Sequence, residues 1–198
     1  MKLIYPLTKQ RREHIKEIVT LFLLRVSPAP VEKLFRLMYL LDVIHFGGSA
    51  VTATHLTYFG HSSGPIPIRL ASELSSTFMG GLSQPKNSLL PQTVGIVIER
   101  GSVTLSCTHG AWTDEYEYMS PHTFGIMEQL VRQYGDAEAR HIDVSAHDRG
   151  AWMKQVARQK PGVIEWPDTL DANDPRTPEM INNAQAYVMR AKHLASSA

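Results

Sequence analysis

Apolar residues recur at helical spacing through the first quarter of the chain. From Thr8 to Leu24, Ile15, Ile18, Val19, Phe22 and Leu23 share one face, with Lys9, Arg11, Arg12 and Lys16 off it, which predicts an amphipathic helix. Its basic first turn opposes the helix dipole, so packing must hold it in place. From Val31 to Asp42 the pattern widens. Leu34, Leu37, Met38, Leu41 and Ile44 fall on one face, and Phe35, Tyr39 and Leu40 extend the apolar surface around the cylinder. Such a helix belongs at the centre of a domain. Ser27 is the expected cap, Pro28 and Pro30 sit where a missing N–H costs little, Glu32 suits the first turn, and Gly47-Gly48 is the expected exit.

The period then changes. Thr54 to Phe59 is β-prone, Pro65 to Met79 turns helical with Leu70, Leu74 and Phe78 one turn apart, and Met79 to Pro91 reads as an irregular insertion. Thr93 to Ile98 and Ser102 to Cys107 flank Arg100-Gly101 with alternating apolar residues, which predicts a hairpin pairing with the earlier aromatic strand. Ser120-Pro121 opens a second helical block whose stripe is Phe124, Met127, Leu130, Val131 and Tyr134 and whose stop is Gly135. A further helix is expected from Asp143 to Gln159, carrying Gly150 where a neighbour packs closely. Lys160 to Pro178 is a proline-rich linker or wrapping segment, and Thr177-Pro178-Glu179 starts a last helix reaching about Leu194. The fold class expected is therefore α+β, mainly helical, with two helical blocks joined by a small antiparallel β-sheet. Residues 1–160 form the domain, and 161–198 the wrapping segment and C-terminal helix.

Composition narrows the function classes. A formal net charge of +1 on 198 residues provides no global field for nucleic acid or an anionic membrane. The single cysteine, Cys107, excludes an internal disulfide and a cysteine-rich zinc site, and fits a reducing cytosol. Apolar runs such as Ile18 to Leu24 are too short to span a bilayer, and the N-terminus lacks a signal-peptide pattern, so a cytoplasmic location is expected.

Candidate chemistry is sparse. Nine histidines invite a metal hypothesis, with Asp42 and His45 at i, i+3 and a looser set of His141, Asp143, His147 and Asp148, but no His-Glu-x-x-His or Cys-x-x-Cys spacing is present. Cys107 and His109 stand two apart, where strand geometry does not bring thiol and imidazole to hydrogen-bond distance reliably. No phosphate-binding glycine loop or Gly-x-Ser-x-Gly elbow occurs. A basic stretch of Lys9, Arg11, Arg12, His14 and Lys16 suggests phosphate contact, but Glu13 and Glu17 dilute it. These residues leave no catalytic group, metal or cofactor to assign.

One resemblance covers roughly residues 10 to 157. Lys33, Leu34, Leu37 and Tyr39, the aromatic pair Tyr58-Phe59, and Gly64-Pro65-Ile66 are similar in order and spacing to the SocA/Panacea antitoxin domain. Ser120 to Gly135 resembles that family's next helix, and Ser145-Ala-His147 with Trp152 resembles its Ser-x-His motif and following tryptophan. The family-motif positions are thus Lys33, Leu37, Tyr39, Gly64, Pro65, His147 and Trp152. The chain departs from the family at His61-Ser62-Ser63, where many members carry an aromatic, and at the Met79 to Pro91 insertion. The resemblance implies a prophage-associated antitoxin, not an enzyme. It would neutralise a cognate protein toxin by direct binding or by handing it to a cytosolic protease. Tyr58, His61, Ser62 and Ser63 are the expected partner contacts. Two alternatives stay open: a small metal-dependent or cysteine hydrolase using His147, Asp148 or Cys107, and a DNA-binding regulator using the basic first helix.

Overall fold

The computed structural model describes residues 7–79, 88–99, 101–107, 117–158 and 162–196. Helix α1 (Lys9–Val26) starts at Thr8, whose hydroxyl accepts from the Arg11 amide. It buries Ile15, Ile18, Val19, Phe22 and Leu23, so packing does hold a helix whose first turn lacks acids. Helix α2 (Val31–Ser49) is the axis of the fold. Leu34, Leu37, Met38, Tyr39, Leu40 and Leu41 are all 0% exposed, which explains an apolar surface too wide for a one-sided stripe.

The sequence placed the ends of α2 imperfectly. Ser27 does not cap it; Ser27 closes α1 through its N–H to Leu23, and its hydroxyl accepts from the Cys107 amide. Pro30 occupies the N-cap position without a side-chain bond. At the other end the helix runs through Gly47 and Gly48 and stops at Ala50, which is left-handed at φ 59°.

Strand β1 (Ala29–Pro30) leads directly into α2, β2 (Tyr58–His61) pairs antiparallel with β3 (Gly64–Pro67), and α3 (Ile68–Met79) follows. Residues 65–67 are thus strand, which proline tolerates better than a helix interior. Strands β4 (Val94–Glu99) and β5 (Ser102–Cys107) form the expected hairpin, with Ile96 opposite Leu105. The hairpin pairs with β1, not with the aromatic strand, giving the order β1-β5-β4. The two sheets are separate because β2 uses its outer edge on the C-terminal segment: Gly60 donates to Gly162, and Ile164 donates to Tyr58.

Helix α4 (Pro121–Tyr134) is capped by Ser120, whose hydroxyl accepts from Thr123. Gly135 ends it in right-handed geometry, and a Cβ there would lie 2.5 Å from the Val131 carbonyl oxygen, so glycine is required by close approach. The helix expected over 143–159 is two short ones, α5 (Ser145–Asp148) and α6 (Ala151–Val156). Arg149 and Gly150, both left-handed, break it, and a Cβ at Gly150 would meet nothing within 4 Å. Glycine there serves backbone conformation, not the close packing expected. The segment after residue 161 threads back over the domain, inserts the 2%-exposed Trp166 into the core through a 3-10 turn (Trp166–Thr169), and ends in α7 (Thr177–Ser196). Among the described residues, no helix is long and apolar enough to cross a membrane.

Candidate binding site

Two buried carboxylates organise the region around α2. Asp42 is 0% exposed and accepts from the Thr54 amide at 2.6 Å, the Thr54 hydroxyl and the Tyr58 hydroxyl at 3.0 Å. Burial pushes its carboxyl up to about 7, against the donated hydrogen bonds. Asp148, also 0% exposed, accepts from the Tyr39 hydroxyl at 3.0 Å and from the Gly150 and Trp152 amides at 2.9 and 2.8 Å. Tyr39 and Tyr58 meet edge-on at 5.1 Å, and Trp166 stacks on Tyr39 at 5.8 Å. Burial, reinforced by the adjacent carboxylates, pushes both phenols well above their ordinary range. This network ties α2 to the loop before β2, to the α5–α6 corner and to the C-terminal segment.

A second set of contacts extends from this network to the surface. Arg36, one helical turn from Tyr39, donates to the Ile142 carbonyl at 3.0 Å and to the Ser63 carbonyl at 2.8 Å. Its guanidinium lies 5.7 Å from the centre of a Trp152 ring, and the Trp152 indole N–H donates to the His61 carbonyl at 2.8 Å. The β2–β3 turn is braced internally as well, since His61 Nδ1 and the Ser63 hydroxyl lie 2.8 Å apart. Gly64 follows with φ 141°, where a Cβ would come 3.2 Å from Arg36 Nε. Gly60 lies directly on α6: a Cβ there would sit 2.4 Å from Gln155 Cβ. The result is an exposed tip, His61-Ser62-Ser63, on a base whose backbone is fixed from two sides.

The expected site residues divide accordingly. Lys33 is buried and donates to the Gly135 carbonyl at the end of α4; Leu37 and Tyr39 are core; Gly64 and Pro65 form the start of β3. His147 lies with Nε2 3.1 Å from the Tyr134 hydroxyl, and Trp152 braces the tip. Tyr58 was expected to touch a partner, but it is 1% exposed with its hydroxyl on Asp42, so it supports the tip from within. The insertion is described from Ser88 onward, where the Glu73 carboxylate accepts from the Ser88 hydroxyl and the Leu89 amide; residues 80–87 lie outside the described residues.

Asp42 and His45 do not converge: Asp42 faces Thr54 and Tyr58, while His45 Nδ1 contacts the Val51 carbonyl at 2.7 Å. Among the described residues, no group of three or more His, Cys, Asp or Glu is placed to hold a metal ion. Cys107 is buried, and His109 lies outside the described residues. On α1, Arg11 donates to the Tyr187 hydroxyl, Arg12 to the Leu7 carbonyl and Lys16 to Glu13, so the basic stretch is partly spent on internal contacts. A cleft of about 260 Å³ lies between α2, the α5–α6 corner and the C-terminal segment. Its rim cations are paired, Arg149 with Asp171 at 3.2 Å and Arg176 with Asp174 at 2.6 Å, so it presents no uncompensated charge from these residues.

Arg36, Gly60 and Trp166 carry much of this construction and were not singled out from sequence. A long-range cation, a glycine under a helix and a tryptophan in a linker leave no periodic signal. No family model, curated protein or solved structure matches this chain.

Proposed function

We propose that this protein is a cytoplasmic, prophage-associated antitoxin that neutralises a cognate protein toxin by binding it, either occluding the toxin or presenting it to a protease. The observation that carries the reading is the convergence of three separated motif blocks. Residues 58–66 and 145–152 both pack on the helix that carries residues 33–39: Tyr39 and Tyr58 donate to the buried carboxylates Asp148 and Asp42, while Arg36 and Trp152 donate to the Ser63 and His61 carbonyls of an exposed three-residue tip. A rigid scaffold that presents a small variable tip suits recognition, because little conformational entropy remains to be lost on binding. No catalytic residue is required for either route.

A hydrolase using His147, Asp148 or Cys107 has weaker support. Asp148 is sealed and saturated by three donors, and the Cys107 thiol is buried. The test is co-expression with a small toxic protein encoded beside this one. Growth should be restored, and the pair should copurify unless rescue proceeds by degradation, in which case toxin levels should fall. Failure to restore growth while both proteins accumulate without forming a complex would remove the antitoxin reading.

A further inference from the structure

Among the described residues, every sheet edge but one is closed. β1 carries Pro30, β3 carries Pro65 and Pro67, and the outer edge of β2 is taken by Gly162 and Ile164. Proline has no N–H to offer an incoming strand, so it blunts the edge it lies on. Strand β4 has no such protection. It ends the order β1-β5-β4, and Val94-Gly95-Ile96-Val97-Ile98 holds neither proline nor charge before Glu99.

The ends of the hairpin show which way its backbone groups point. Val94 donates its N–H to the Pro91 carbonyl at 3.1 Å, and Cys107, opposite Val94 on β5, donates its N–H to the Ser27 hydroxyl at 3.2 Å on the β1 side. Neither amide faces the other strand, so these two residues do not exchange bonds. Antiparallel strands alternate, so Ile96 and Ile98 also turn N–H and C=O away from β5, and among the described residues nothing bonds to them there. Side chains alternate too. Val94, Ile96 and Ile98 share the core side, running from buried Val94 to half-exposed Ile98, while half-exposed Val97 stands on the outer side with Gly95 and Glu99.

We propose that β4 is a dimerisation strand: two copies of this chain pair their β4 edges antiparallel across a two-fold axis at Val97, joining two three-stranded sheets into one. The free groups set the register. Ile96 and the partner's Ile98 exchange main-chain bonds, as do Ile98 and the partner's Ile96, and the Val94 amide, already used, is not needed. Ile98 then packs on the partner's Ile96, which each monomer covers only in part, and Val97 meets the partner's Val97 on the outer side. Charge fits as well. The two Glu99 carboxylates fall at opposite ends of the pair, each beside a Gly95 that has no side chain to obstruct it. A surface used by both copies must complement itself, and this uncharged stretch does. An unlike partner strand would demand no such self-matching run.

The test is sedimentation of the full chain over a range of micromolar concentrations. Wild type should run at twice the chain mass. Val97→Lys sets two ammonium groups against each other on the axis and should run at the single-chain mass with an intact circular dichroism spectrum. Ser102→Lys, on the same face but one strand in, should stay a dimer. Should Val97→Lys fail to fold, cysteines decide. Residues paired without exchanging bonds have Cα atoms about 4.5 Å apart, within disulfide range, so mild oxidation should link two copies of Val97→Cys. Glu99→Cys, beside the partner's Gly95, should stay unlinked, as should wild type, whose one cysteine is the buried Cys107. A wild type that sediments as one chain at every concentration would overturn the proposal, including the case in which another segment of the chain shields the Ile96 and Ile98 amides from hydrogen exchange. So would a folded Val97→Lys dimer, or equal cross-linking of the two cysteine variants.

Discussion

Arg36→Ala removes the side chain that joins the central helix to the exposed tip. The guanidinium makes two hydrogen bonds to carbonyls and one contact over an indole. A charge-assisted hydrogen bond contributes about 1.5–3 kcal/mol, and the partly buried bond to Ile142 deserves a value in that range. The bond to Ser63 is exposed, and solvent screening reduces it to about 1 kcal/mol or less. The Trp152 contact adds about 0.5–1 kcal/mol at such a site. Against these stands the cost of half-burying a guanidinium, visible as a pKa lowered by burial. The net expectation is a loss of about 2–3 kcal/mol in urea denaturation. Hydrogen exchange should quicken most at the β2–β3 turn. Arg36→Lys should recover only part of the loss, because one ammonium cannot reach two diverging carbonyls and also lie flat on an indole. A melt within about 0.5 kcal/mol of wild type, with unchanged exchange at residues 61–64, would refute the bracing role.

Leu41→Ala should cost about 2–5 kcal/mol by chemical denaturation, because the side chain is 0% exposed on a helix buried nearly all round. Gly60→Ala should destabilise by about 1–3 kcal/mol, since its methyl would sit 2.4 Å from Gln155 Cβ; Ser62→Ala on the exposed turn should be neutral in the same assay. For Asp42, the folded pKa of about 7 lies above the ordinary carboxyl value of 3.8. The folded state therefore binds the extra proton, and the stabilising contribution is lost as pH rises through 7. Wild-type stability minus that of Asp42→Asn should thus decline by about 1 kcal/mol per pH unit between pH 5 and 7, and a flat difference would show that the hydrogen bonds outweigh burial.

The helices built on sustained periodicity were readable from the chain. Ile15 to Leu23 and Leu34 to Leu41 bury the face that their spacing marks, and in α4 Met127, Leu130 and Tyr134 are buried as expected, whereas Phe124 and Val131 of that stripe are half-buried and Ile126, outside it, is buried. Conformation at single residues was less readable. Arg149 and Gly150 split one predicted helix because two left-handed residues in succession outweigh an otherwise helical pattern, whereas Gly47 and Gly48 stay helical because α2 is packed on several sides. Sheet partners were readable only where a short turn enforced them. The β4–β5 hairpin follows from Arg100-Gly101, but its pairing with Ala29–Pro30 depends on how α1 and α2 pack and has no local signature. At the site, the motif positions indicated which segments matter without saying what each residue does. Tyr58 looked like a contact and is a buried donor, while Arg36, which the pattern did not single out, clamps the tip.

The central claim is that the 61–63 tip contacts a toxin, and Ser62 is its cleanest probe because His61 and Ser63 are bonded to each other. The decisive measurement is growth rescue by Ser62→Arg beside wild type, in cells expressing the adjacent toxin, with the melting temperature of each purified protein as control. The account predicts that the variant melts like wild type and fails to restore growth, since a bulky cation at the centre of a recognition tip disrupts its complementarity. Full rescue by the folded Ser62→Arg protein would contradict it.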